Sequence, residues 1–267
     1  MTESGEWLRT SIGRATPDSI TVRGHDLAGE LMGKMSFGDL AFLIAAGRQP
    51  TEGESQLFNA ILISLADHGL TPTALAARLT YTGAPEAVQG AIASGLLDAG
   101  SVFLGPVGDT VGFLGDILER IPADTRSDEA ALRAAATESV RVAVTEGRRI
   151  PGLGHPIHRD VDPRTPRVYQ LAKDNDLLGP HLRLLDLVAA EHRAATGKSL
   201  PINGAGAAGA ALADMGFPRP VAHGFALLSR TAGLVGHLAE EAADPIGMRL
   251  WKEVDTRASA ADETQDE

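Results

Sequence analysis

Within thirteen residues, Gly152-Leu153-Gly154-His155-Pro156-Ile157-His158 and the following Asp162-Pro163-Arg164 gather two imidazoles, a carboxylate and a guanidinium. Glycine lets the backbone approach a ligand closely. A histidine placed there donates a hydrogen bond to an oxyanion or moves a proton near neutral pH. Arginine presents the planar fork that pairs with a carboxylate. The combination suits a small oxo- or hydroxy-carboxylate. The prolines stiffen the stretch, and a long irregular segment of that kind inside a helical chain points to function rather than disorder.

Two other patterns compete for chemistry. Gly204-Ala205-Gly206-Ala207-Ala208-Gly209 has the letters of a dinucleotide-binding turn. That mechanism needs a preceding strand and an acid about 20 residues on. Only Leu200-Pro201-Ile202 precedes it, and no acid occurs between Met215 and Leu238, so close packing of a small-residue helix is the better account. The eight histidines show no HExxH-type spacing, and Pro156 forbids an ordinary helix between His155 and His158. No metal and no nicotinamide or flavin cofactor is therefore expected. His223 and His237 fall in an apolar helix and read as packed or capping groups.

The elements that must position these groups are helices. Apolar residues recur at helical spacing in 36–46, 54–67, 73–81, 85–99, 129–146, 166–173, 181–195 and 220–240. Thr51 with Glu54 reads as a capping box, Pro72 as a first-turn proline, and Thr125 or Ser127 as the cap after the break at 121–124. The segment 19–23 is the one strand candidate. The chain is thus predicted to be all-α, with roughly ten helices or more.

The 267 residues, 43% hydrophobic and 22% charged, carry enough apolar side chain for a full core and exclude disorder over most of the chain. The absence of cysteine removes disulfides, thiolate metal sites and cysteine nucleophiles. No apolar run reaches membrane-spanning length, and the first residues lack a signal pattern, so a cytoplasmic protein with no membrane partner is expected. A net charge of −11 argues against nucleic acid. Between Arg141 and Arg167, however, six arginines face three acids. That local excess reads either as a solvated polar face or as a draw for a small anionic ligand. Residues 256–267 read as a disordered acidic tail beyond a domain of residues 1–255.

The same loop resembles the GxGHxxY…DPR signature of the citrate synthase family, and the chain is most similar to its short members, the citryl-CoA lyases. Further matches keep family order. They are Arg23-Gly24-His25-Asp26 with Met35 to Thr51, Leu65-Ala66-Asp67-His68-Gly69-Leu70 with Arg78 beyond, Leu200-Pro201-Ile202-Asn203, and Ser229-Arg230-Thr231-Ala232-Gly233 with His237 after it. The resemblance implies a helical fold with a smaller lid-like part around 150–200, and a homodimer. It also implies carbon–carbon bond chemistry on a coenzyme A thioester and a dicarboxylate. Carried over by position, His155 and His68 are the catalytic and oxaloacetate-contacting histidines, and Arg164, Arg230 and Asn203 complete the substrate site. Arg159, Lys198 and Arg148 would meet the phosphates of coenzyme A. Two positions depart from the pattern: Val107 stands where the family carries an oxyanion-binding histidine, and Ala205 where it carries an aspartate base. Losing a base removes ~10²–10⁴-fold in rate and losing an oxyanion donor ~10²–10³-fold. Cleavage of citryl-CoA or a related 3-hydroxy-acyl-CoA is the implied reaction, with His155 or His68 taking the hydroxyl proton and N–H groups of the 204–206 turn supporting the enolate. The alternatives are a weakened homologue that only binds such ligands, or a synthase running the condensation.

Overall fold

Helix starts in this chain are fixed by local oxygen atoms. Ser36, Thr51, Asp128 and Asn203 each accept a hydrogen bond from a backbone N–H of the first turn they precede. At Thr51 the expected capping box is complete, with Glu54 returning a bond to the Thr51 N–H. The fork of Arg48 closes on the same carboxylate and, with Thr51, holds Glu54 down at about 2. After the break at 121–124 the cap is Asp128, not Thr125 or Ser127; the Thr125 hydroxyl bonds back to Pro122 instead.

The computed structural model describes residues 9–263, with side chains to 259. Three short antiparallel strands open the chain: β1 (Gly13–Ala15), β2 (Ile20–Val22) and β3 (His25–Asp26), with Arg14 opposite Thr21 and Val22 opposite His25. The expected strand at 19–23 is the central one. The helices follow as α1 (Phe37–Ala46), α2 (Glu52–Ala66), α3 (Pro72–Gly83), α4 (Val88–Asp98), α5 (Gly105–Glu119), α6 (Glu129–Thr145), α7 (Arg164–Asp174), α8 (Pro180–Thr196), α9 (Gly204–Asp214), α10 (Arg219–Ala243) and α11 (Gly247–Glu263). The all-α expectation holds. None of these helices is long and apolar enough to cross a membrane.

Apart from α9, read from its small residues, two helices lie outside the periodic segments. In α5, four glycines interrupt the apolar pattern, and tertiary packing overrides their poor propensity: Gly108 and Gly112 are where Arg219 of α10 lies close. In α11, the stretch assigned to a disordered tail from residue 256 is helical as far as Glu263, while 264–267 lie outside the described residues. Alanines favour the helix there, and an i,i+4 pair between Glu253 and Arg257 supports it.

α9 is the buried axis of the fold, lying against α5, α8, α7, α2 and α10. All its residues except Ala205 and Asp214 are buried. Its glycines are packing devices, as expected, and not a nucleotide turn. A Cβ on Gly206 would sit 2.5 Å from the Cα of Gly152, one on Gly209 2.5 Å from the Val107 carbonyl oxygen, and one on Gly204 inside the Arg164 guanidinium. Segment 150–200 does not have a separate core. Val168, Leu182, Leu185 and Val188 join Phe42, Phe58 and Leu114 in one cluster.

Candidate active site

The loop between α6 and α7 is tied to the start of α9 by backbone. Gly154 N–H bonds the Pro201 carbonyl, Asn203 N–H bonds the Gly152 carbonyl, and the Asn203 amide donates to the Gly154 carbonyl at 2.7 Å. Gly152 and Gly154 take positive φ of 85° and 80°, which only glycine adopts cheaply. Asn203 thus fixes the loop and caps α9, so its observed partners are backbone groups.

That anchoring sets His155. Its Nδ1 accepts hydrogen bonds from the N–H groups of Ile157 (3.1 Å) and His158 (3.0 Å). Nδ1 is therefore unprotonated, and the neutral ring carries its proton on Nε2. A second proton would have to face two N–H donors. Burial, with the neighbouring His158 and Arg164 adding to it, lowers the His155 pKa in the same direction. His155 is built as a neutral hydrogen-bond donor.

His68 follows the C-terminal end of α2 and meets this loop. The centroids of the His68 and His155 rings are 5.3 Å apart, those of His68 and His158 5.6 Å, and those of His155 and His158 4.4 Å. One ring nitrogen from each lies within 4.8 Å of the others. Such spacing resembles a three-histidine metal donor set, but His155 does not fit it. Ligation through Nδ1 breaks both backbone bonds, and ligation through Nε2 moves the proton onto Nδ1 against two donors. Burial and the charges of Arg164, His158 and Arg230 also lower the His68 pKa.

Neutral, depressed imidazoles link to stability. Unfolded histidines bind protons below about 6.5, where folded His68 and His155 still refuse them. The stability they allow is complete above that pH and falls as pH drops toward their lower folded values. Urea midpoints from pH 8 to 5 should decline, and the paired substitution His68→Gln with His155→Gln should flatten the slope; an unchanged slope assigns it elsewhere.

Two arginines face the cluster. Arg164, at the start of α7, gives its fork to Asp162, with Nε to Oδ1 at 2.9 Å and Nη2 to Oδ2 at 2.7 Å, and Nη1 to the Ser64 carbonyl at 3.3 Å. Asp162 is fully buried and also accepts from Gly204 N–H at 2.7 Å. Burial pushes this carboxylate up, but the Arg164 guanidinium and the Gly204 and Arg164 N–H groups outweigh it and hold it well below the usual range. Arg230, on α10, is only 5% exposed, and its Nε and Nη1 have no hydrogen-bond partner. A buried guanidinium with unmet donors is the mark of a site that expects an anion.

A second network, built from residues far apart in the sequence, holds Asp67, the neighbour of His68. Asp67 accepts from Gly69 N–H at 2.8 Å and pairs with His237 Nε2 at 2.8 Å. His237 Nδ1 accepts from Arg78 Nε at 3.1 Å, and buried Arg78 pairs with Glu240 and Glu241. Glu241 in turn caps the Ile246 and Gly247 N–H groups where α11 begins. His237 was expected to be a packing or capping group; it is a bridge between charges. The 3- and 4-residue spacing of His237, Glu240 and Glu241 on one helix was the available signal.

The remaining expected residues stay outside. Arg159 and Lys198 are exposed, the former directly after His158, and exposed Arg148 pairs with Glu146. Half of the six arginines between 141 and 167 are taken by acids, Arg141 by Glu138, Arg148 by Glu146 and Arg164 by Asp162. In the 204–206 turn, Gly204 N–H goes to Asp162 and Gly206 N–H to Asn203, so those two are not available to an enolate. Val107 is fully buried in the core, and Ala205 is partly buried and packed against the same cluster.

A family model described as "Citrate synthase, C-terminal domain" matches residues 37–252. No curated protein matches the chain. Among solved structures, citryl-CoA lyase from Hydrogenobacter thermophilus is 31% identical, with a TM-score of 0.77 over 87% of this chain and 86% of that one. ATP citrate lyase from Methanosaeta concilii, in complex with (3S)-citryl-CoA, is 21% identical with a TM-score of 0.71, over 88% of this chain and 39% of that one. Citrate synthase from Thermotoga maritima is 14% identical with a TM-score of 0.56, over 91% and 93%.

Proposed function

Starting from the chain's membership of the citrate synthase family, we propose that it cleaves a 3-hydroxy-acyl-CoA of the citryl-CoA type into acetyl-CoA and an oxo-dicarboxylate. The observation that carries this reading is Arg230, a buried guanidinium with unmet donors, near His68 of the imidazole cluster and Arg164. A carboxylate on Arg230 satisfies those donors, and the remaining N–H groups of Arg164 serve a second. His155, held as an Nε2–H donor, binds the oxygen on the carbon where the bond breaks. Because that oxygen is a hydroxyl becoming a carbonyl, the donor stabilises the alkoxide between them. The exposed Arg159 and Lys198 are available to the phosphates of the coenzyme arm, and Arg148 joins them by giving up Glu146.

Residue 205 bears on cleavage and condensation alike, because the two directions pass through one transition state. Abstracting a proton from the acetyl methyl is the task of the family's aspartate, and a methyl side chain cannot do it. Starting from the hydroxy-acyl thioester, the first proton comes from a hydroxyl, which is far more acidic than that methyl. A second copy of the chain is the natural partner. Leu97 on α4 (84% exposed) and Val235 on α10 leave apolar side chains uncovered on packed helices.

Incubation with citryl-CoA, and separately with acetyl-CoA plus oxaloacetate, while following oxaloacetate and free coenzyme A, separates the readings. Cleavage without condensation is the expected result. Citrate formation would make the chain a synthase, and tight binding without turnover a binding protein. Ala205→Asp should raise turnover at least about tenfold, the lower part of what a positioned base contributes. An unchanged rate in that variant would place the reacting carbon away from residue 205.

A further inference from the structure

Resting on the lyase reading, we infer that His158 is the proton carrier of the reaction, accepting the substrate hydroxyl proton and returning it to the carbon released by cleavage. Neither His155 nor residue 205 can fill this role. The His155 ring gives its one unprotonated nitrogen to two backbone N–H groups, so it donates but does not accept. Ala205 offers a methyl. Of the three clustered imidazoles, His68 and His158 are the two whose nitrogens have no hydrogen-bond partner among the described residues, and a nitrogen of each lies within 4.8 Å of the other two rings' nitrogens.

The surroundings divide these two. His68 is pinned between Asp67, held by His237 and Gly69 N–H, and the loop, and it feels the positive charges of Arg164 and Arg230. Those charges resist a second positive charge on His68 and suit it to hydrogen bonding with an anionic substrate. His158 follows the stiff Pro156 turn, is half-buried, and has exposed Ile157 and Arg159 on either side. Its ring stacks at 30° on that of His155, 4.4 Å away. A substrate oxygen bound by His155 Nε2–H therefore comes within reach of His158.

The step balances without any co-reactant. His158 takes the hydroxyl proton, and the oxygen's electron pair forms the carbonyl of the oxo-acid. The bond between that carbon and the methylene next to the thioester breaks, and its electron pair passes into the thioester enolate. The imidazolium then gives its proton to that methylene, which becomes the methyl of acetyl-CoA. No net proton is gained or lost.

The test compares His158→Ala, His158→Gln and His158→Tyr with the unsubstituted protein on citryl-CoA, with oxaloacetate binding as a measure of pocket integrity. The expected result is a fall in kcat of about 10²-fold or more in His158→Ala and His158→Gln with KM little changed. Free imidazole should restore the His158→Ala rate, which a structural role would not permit. Wild-type-like kcat in His158→Gln, or rescue of His68→Ala but not of His158→Ala, would overturn the assignment. Absence of cleavage by the unsubstituted protein would instead overturn the lyase reading, and this proposal with it.

Discussion

Arg230→Met is expected to yield a protein that is more stable than the original and functionally dead. The guanidinium is buried with two donors unmet, and each unsatisfied buried polar group costs about 1–3 kcal/mol. Burial already lowers the Arg230 pKa, the sign of a charge held where it is poorly solvated. An apolar chain of similar length fills the same space without that penalty, so the urea midpoint should rise. Binding goes the other way. A dicarboxylate entering the variant pocket leaves one carboxylate buried without its cation, a loss of about 3–5 kcal/mol when one partner of a buried pair is removed. At about 1.36 kcal/mol per factor of ten, kcat/KM falls roughly 10²–10³-fold or more. Chemical denaturation and oxaloacetate titration on one preparation decide it. A destabilised variant, or one that still binds oxaloacetate, means that Arg230 has partners in solution and is structural.

Asp162→Ala should fail in both respects. Its carboxylate receives the Arg164 fork, the Arg164 N–H and the Gly204 N–H, and it is completely enclosed. Removing it strands a guanidinium and the first N–H of α9 together, at a cost of about 3–5 kcal/mol. A domain of this kind has total stability of about 5–15 kcal/mol. Arg164 then loses the anchor that aims it at the pocket, so activity should vanish even in the fraction that folds. Asp162→Asn keeps the shape and one acceptor, and should fall between the two in thermal midpoint. Near-native stability and turnover in Asp162→Ala would show that the Ser64 carbonyl alone suffices to hold Arg164.

Much of this protein is determined by short-range sequence. The capping box at Thr51 and Glu54, the first-turn proline at Pro72 and the helical stripes from 36 to 240 are set by neighbours a few residues apart, and the all-α class follows from them. The histidine loop is legible as a non-helical, functional segment for the same reason, through its own glycines and prolines, although its anchoring to α9 is not. The glycine run at 204–209 is also readable as packing, because the strand and acid of a nucleotide site are missing nearby.

What only the tertiary structure decided depends on partners far apart in the chain. The glycine-rich α5 packs against α9, α10 and α8, with Arg219, more than 100 residues on, close beside Gly108 and Gly112. His237 reads as a packed residue until Arg78, from the middle of α3, and Asp67, at the end of α2, meet its two nitrogens. One case is local: which nitrogen of His155 holds the proton is set by the folded course of its own loop, which turns the N–H groups two and three residues on onto Nδ1. Arg230 is one arginine among many in the sequence, and becomes a ligand-seeking group only once burial removes water from its donors. Periodicity and caps are local free energies and are written in order along the chain; hydrogen-bond satisfaction and desolvation are properties of the packed whole.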